Sequence, residues 1–200
     1  MSDIAALHRR ALAATEKIVA GISPDQWGAP TPCAEWDVRG LLNHVVTGNW
    51  WAAALAGGAT IEQVGARLDG DVLGADPLRA YQRSAEGAAA AFDAPGALSA
   101  PCAVSYGPVS GELYAGHRFI DVLVHGWDLA VATGQDATIE PKLAEECWAV
   151  VEPQLAMLQG SGQFGRAEAE ASAADPSAAD PKARLLTALG RSPRARAISS

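Results

Sequence analysis

The strongest pattern in the chain lies between residues 110 and 134, SGELYAGHRFIDVLVHGWDLAVATG. No proline interrupts it, and Leu113, Ile120, Leu123, Val124, Trp127 and Val131 cover much of a helical circumference. This predicts one long helix, capped by Ser110, stopped at Gly134 and buried on most sides. Within it His117, Asp121, His125 and Asp128 recur at spacings of four, four and three. At 3.6 residues per turn such spacings stack the four side chains in one polar stripe. A carboxylate and imidazoles inside an apolar helix are costly unless partners or a metal ion compensate them.

The remaining pattern predicts further helices with irregular connections. Residues 3–21 form a first helix, with Ile4, Leu7, Ala11, Leu12, Thr15 and Ile18 close to one face. Residues 22–36 hold Pro24, Gly28, Pro30 and Pro32 and read as an extended loop. Asp37 caps a second helix that ends at Gly57 and Gly58. Residues 59–74 are a polar connection without a firm period. Asp76-Pro77 opens a third helix running through Phe92, and residues 95–108 carry at most a short hairpin. After the central helix, 141–158 is expected to be one more, with Leu143, Cys147, Val150, Val151 and Leu155 facing inward. The expected architecture is all-α, a four-helix bundle with irregular connections and a short C-terminal helix. The first helix is either one of the four or lies alongside them. Residues 1–160 form the bundle, and 161–200 an Ala-rich tail. The stretch 160–180 is read as loosely held, a helix from Asp180-Pro181 docks back through Leu185, Leu186 and Leu189, and RSPRARAISS frays.

Composition narrows the function classes. A 200-residue chain that is 49% hydrophobic is enough for one domain with a real core. Fifteen basic against 23 acidic residues, a formal charge of −8, argues against nucleic acid and anionic membrane surfaces as partners. No stretch approaches the ~20 apolar residues of a membrane span, and the charged, amphipathic start does not read as a secretory signal. Cys33, Cys102 and Cys147 are odd in number and lack CxxC spacing, which fits a reduced cytoplasmic protein. A monomer or homodimer is expected.

Asp121 and His125, at i and i+4, project to a common point on the central helix. His44 lies in another apolar helix, among the neighbours Gly40, Leu41, Thr47 and Gly48, which leave a notch around its ring. Together the three make two imidazoles and a carboxylate, the donor set of a catalytic metal site with one position left for water or substrate. Zinc suits such a set best, with nickel or iron possible. The alternative is a buried polar network at a helix interface. His117 lies ~12 Å from His125 along the helix axis, outside the ligand set, and is read as a pocket residue or a support behind the ligands through a bond to Asp121, and as a candidate for proton transfer or for orienting the nucleophile. Asp128 either orients His125 or caps a neighbouring helix. Trp36 is read as a packing anchor, His8 as solvated beside Arg9 and Arg10, and Cys33 as structural, since nothing basic adjoins it.

The segments TPCAEWDVRGLLNHVVTGN and DVLVHGWDLAVATGQ, with a terminal LLTALGRSP, resemble the metal-binding domain of the mycothiol-dependent maleylpyruvate isomerase family, within the DinB-like superfamily. The resemblance implies a four-helix bundle holding a divalent metal through one histidine on the second helix and an acid-xxx-histidine pair on a later one. Those positions correspond to His44, Asp121 and His125. The isomerase carries glutamate where this chain has Asp121, and a C-terminal domain where this chain has an Ala-rich tail. The function so implied is a metal-dependent enzyme that uses mycothiol or a similar low-molecular-weight thiol for transfer to, or isomerisation of, a small electrophile. The alternatives are a non-catalytic metal-binding or sensing module and, more weakly, a metal-assisted hydrolase.

Overall fold

The computed structural model describes residues 3–160 and 180–193; the expectations for 161–179 and for the last seven residues lie outside them. Local chemistry explains where each helix begins. Helix α1 (Ile4–Ala20) starts where the Asp3 carboxylate accepts from the Ala5 and Ala6 N–H groups. Helix α2 (Val38–Ala56) starts at Asp37, whose carboxylate takes the Gly40 N–H at 2.7 Å. The 59–74 connection contains a one-turn helix α3 (Ile61–Val64), closed by a reciprocal Thr60–Gln63 capping box. Its shortness explains why it left no period in the sequence. Helix α4 (Pro77–Asp93) begins with Asp76 accepting from Arg79. Strands β1 (Pro101–Val104) and β2 (Gly107–Ser110) pair antiparallel, with Cys102 opposite Val109. Ser110 then caps α5 (Gly111–Ala132) by accepting from Leu113.

The expected last long helix is broken. It runs as α6 (Pro141–Val151), a 3-10 turn at Glu152–Gln154, and α7 (Leu155–Gly160). Pro153 sits in that turn; it has no N–H to continue the helical ladder, and its ring crowds the residue before it. Val151 is buried, whereas Val150 and Leu155 are only half-buried.

The core is formed by α1, α2, α4 and α5, so the first helix is one of the four. α5 lies against both α1 and α2, and α4 covers α1 and α2 from the other side. Contact between α1 and α5 is close at Gly126, where a Cβ would stand 2.3 Å from the Thr15 hydroxyl. That hydroxyl donates to the Val122 carbonyl at 3.1 Å. Helix α6 packs outside the four, against α5 and a short helix α8 (Pro181–Ala188), whose Leu185 and Leu186, with Leu189 just after, are fully buried. Two expectations fail on burial. Leu113, placed in the core by its period, is 41% exposed: the first turn of α5 buries Gly111 and Tyr114 and turns Glu112 and Leu113 outward. His8, expected in solvent, is 1% exposed, because its face of α1 packs on Phe92 of α4. Among the described residues no helix is long and apolar enough to cross a membrane.

Candidate metal centre

The site forms where α2 crosses α5. One oxygen of Asp121, Oδ1, faces two imidazoles: Nε2 of His44 at 3.4 Å and Nε2 of His125 at 3.5 Å. The His44 and His125 rings meet edge to face, with centroids 5.1 Å apart. All three donor atoms lie within 4.8 Å of one another. Tetrahedral bonds of about 2.0–2.1 Å place donor atoms roughly 3.3–3.4 Å apart. The observed spacings fit such an ion and are longer than the roughly 2.7–3.2 Å of good hydrogen bonds. The His44 side chain is 37% exposed, so the cluster has a solvent-facing side.

Each member is held from behind. Arg118 donates from one guanidinium nitrogen to Oδ2 of Asp121 at 2.9 Å, and from another to Oδ1 of Asn49 at 3.2 Å. That guanidinium lies in space left by Gly48, where a Cβ would stand 2.3 Å from it. His44 stacks on Trp36, centroids 4.5 Å apart and planes inclined by 21°. Trp36 comes from the 22–36 loop, which is pinned onto α2 by the Val38 and Arg39 N–H groups bonding the Ala29 and Trp27 carbonyls. Within the loop the Thr31 hydroxyl donates to the Trp36 carbonyl at 2.8 Å and accepts the Cys33 N–H at 3.1 Å.

His125 has a second set of partners. Its Nδ1 lies 3.0 Å from Oδ2 of Asp128, and that same oxygen accepts from the Cys33 thiol at 3.2 Å. Asp128 thus orients the ring, and among the described residues it caps no helix. Cys33, His125 and Asp128 are also close enough to chelate an ion. A cation already stands there: the guanidinium of Arg191 reaches Oδ2 of Asp128 at 2.8 Å and the Cys33 sulfur at 3.2 Å. Nothing basic adjoins Cys33 in sequence, but Arg191 adjoins it in space. RSPRARAISS, expected to fray, is buried at its first residue.

Charge follows geometry. Burial works against the Asp121 carboxylate, but Arg118, His125 and His44 outweigh it and hold its pKa well below the usual value. Burial likewise opposes charge on His125, and the Asp121 and Asp128 carboxylates with Cys33 overcome it, raising its pKa well above 6.5. Asp128, also opposed by burial, is held low by His125 and Arg191.

His117 is not brought into this cluster. Its Nδ1 meets the Tyr106 hydroxyl at 2.6 Å and its Nε2 the Gln154 side-chain oxygen at 2.8 Å, so the expected bond to Asp121 is not among its contacts. Burial lowers its pKa and keeps the ring neutral near pH 7. Sequence reasoning missed Arg118, Arg191 and the role of Cys33. Arg118 could have been found as a cation three residues before Asp121 in an apolar helix. Arg191 is 63 residues from Asp128 and no spacing links them.

Fold and site together define an all-α DinB-like bundle with two donor clusters capable of chelating a divalent metal. The chain belongs to the family described as the mycothiol maleylpyruvate isomerase N-terminal domain, which it matches over residues 8–130. It is also similar to Uncharacterized protein Rv0738 and Uncharacterized protein MT0763, from two strains of Mycobacterium tuberculosis. Each is 43% identical over 143 residues, covering 70% of this chain and 72% of the relative. No solved structure matches the chain.

Proposed function

We propose that His44, Asp121 and His125 hold a divalent metal, zinc being the best fit to the donor set, and that the protein is a thiol-dependent metalloenzyme. The observation that carries this reading is the single Asp121 oxygen facing two Nε2 atoms at distances too long for good hydrogen bonds and suited to a shared ion. Three protein donors are the pattern of catalytic rather than structural sites, which usually close with a fourth. A metal bound there lowers the pKa of a coordinated thiol or water. Membership in the mycothiol family favours a thiol such as mycothiol as the ligand, with transfer to, or isomerisation of, a small electrophile as the reaction.

This chain's residues divide the work as follows. Arg118 fixes the free oxygen of Asp121, Trp36 fixes the plane of His44, and Asp128 fixes the orientation of His125. His117 stays in the proposal as the proton-transfer group, supported by its neutral ring and its bond to the half-exposed hydroxyl-bearing Tyr106. A non-catalytic metal-binding module is the second reading, since His117 also fastens the hairpin and the Glu152–Gln154 turn to α5.

Metal analysis of protein purified without an affinity tag, followed by titration of thiols against the loaded protein, tests the proposal. Stoichiometric metal and saturable thiol binding that disappears with the metal are expected. Metal without thiol binding leaves the module reading; absence of metal uptake sinks both. His117→Ala is expected to keep the metal and to lower turnover by about 10²–10⁴, the usual contribution of a positioned acid or base. A lower melting temperature with unchanged turnover would reduce His117 to a fastening role.

A further inference from the structure

The family match ends at residue 130, but the support of the site does not. Arg191 comes from the segment after α8, and its backbone N–H bonds the Leu186 carbonyl at 2.8 Å. Its guanidinium is shared among three residues: Nη1 on the Leu189 carbonyl at 2.8 Å, Nε on Oδ1 of Asp128 at 3.3 Å, and Nη2 on Oδ2 of Asp128 at 2.8 Å and on the Cys33 sulfur at 3.2 Å. Asp128 is 0% exposed. A fully buried carboxylate stays charged only with compensating partners, and two of its four, beside His125 Nδ1 and the Cys33 thiol, are the guanidinium nitrogens. The planar fork meeting both oxygens also fixes the carboxylate's rotation. Its Oδ2 is the atom that takes Nδ1 of His125, so that rotation decides which ring nitrogen is tied down and which faces Asp121 and His44.

We infer that Arg191 is a positioning residue of the metal centre, and that docking of the C-terminal helix completes the site by locking Asp128 and, through it, His125. The inference rests on the metal reading above. It extends the functional unit beyond the family's matched segment to the last described turn of the chain. It also gives the Cys33 cluster a different role from a second metal site: the cation it holds is part of the protein.

The test is cobalt(II) binding, followed by its visible absorption, for wild type, Arg191→Ala, Arg191→Lys, Asp128→Asn and the Arg191→Ala/Asp128→Asn double variant. His125 imidazole nitrogen shifts are recorded in parallel on the metal-free proteins. Arg191→Ala is expected to weaken cobalt binding about tenfold or more, as loss of a ligand's hydrogen-bond partner does. Arg191→Lys recovers part of that loss, and Arg191→Ala adds nothing once Asp128 is already Asn. Unchanged cobalt affinity in a folded Arg191→Ala overturns the inference, as do additive losses in the double variant. If Arg191→Ala does not fold, Arg191→Lys decides: its affinity falls below wild type if the fork matters and equals it if not. Failure of the metal reading looks different, because wild type and His44→Ala would then bind cobalt equally poorly. In that event the nitrogen shifts still decide: a shift at His125 in Arg191→Ala supports the positioning role, and unchanged signals refute it.

Discussion

Two histidines on adjoining helices are buried almost equally and end in opposite states. His125 on α5 is 4% exposed, His8 on α1 is 1% exposed. Around His125 stand Asp121 on the Nε2 side and Asp128 on the Nδ1 side, and its pKa is raised well above 6.5. Around His8 stand the edge contact with Phe92 and, among the described residues, no hydrogen-bond partner for either nitrogen. Burial first, then Arg118 and Arg9, push its pKa down to about 3, with Asp121 pulling weakly the other way. Burial alone therefore says nothing about what a histidine does. Carboxylates placed on both nitrogens make a site; apolar packing makes a neutral core ring that happens to be polar.

The largest effect expected from breaking this contrast is at His125. His125→Ala leaves two donors where three hold the proposed ion, and metal-dependent stabilisation should vanish. For wild type that stabilisation is about 2.7 kcal/mol at a hundredfold excess of metal over Kd. Cys33→Ala, on the other side of the same ring, should keep the shift. Melting curves with and without zinc decide between the two clusters. A shift lost in Cys33→Ala and kept in His44→Ala would move the ion to the Cys33 side.

A smaller effect is expected from Gly48→Ala, which touches no donor atom. Glycine to alanine inside a helix gains up to about 1 kcal/mol when nothing is in the way. Here the new Cβ meets the Arg118 guanidinium at 2.3 Å, and Arg118 cannot yield without releasing Asp121. Metal affinity should fall about tenfold, at the mild end for loss of a ligand's support, and the melting temperature should not rise. A stabilised Gly48→Ala with unchanged metal affinity would show that Arg118 yields freely and does not fix Asp121.

The same contrast measures what the sequence made legible. α5 and the caps of α2 and α4 were readable because period and capping residues act locally. His44, Asp121 and His125 were picked out because two are one turn apart and the third sits among small residues; the structure brings the three together. The break at Pro153 was in the sequence and was overlooked. His8 was misread because its neighbours Arg9 and Arg10 point to solvent-side partners while its own face meets α4, a tertiary fact. Arg191 and Cys33 were beyond reach for the same reason, since their meeting depends on where α8 docks.

The smallest effect expected concerns His8 and appears only as pH changes. Its folded pKa of about 3 lies below the unfolded 6.5, so the unfolded chain takes up a proton first as the pH falls. The stability tied to a neutral His8 is thus complete above about pH 6.5 and lost progressively toward pH 3. The slope approaches about 1.4 kcal/mol per pH unit within that window. Leucine at this position has nothing to titrate and leaves no nitrogen unbonded. His8→Leu should therefore match or exceed wild type at pH 7, by up to about 1 kcal/mol, and the difference should widen as the pH is lowered. Asp121 and Asp128 also lose stabilising charge in acid, so the informative quantity is the difference between the two denaturation series, in which their contribution cancels. Urea midpoints at pH 7, 6, 5 and 4 supply it. Parallel midpoints across the series would mean that His8 takes up its proton in the folded state, and its contrast with His125 would then collapse.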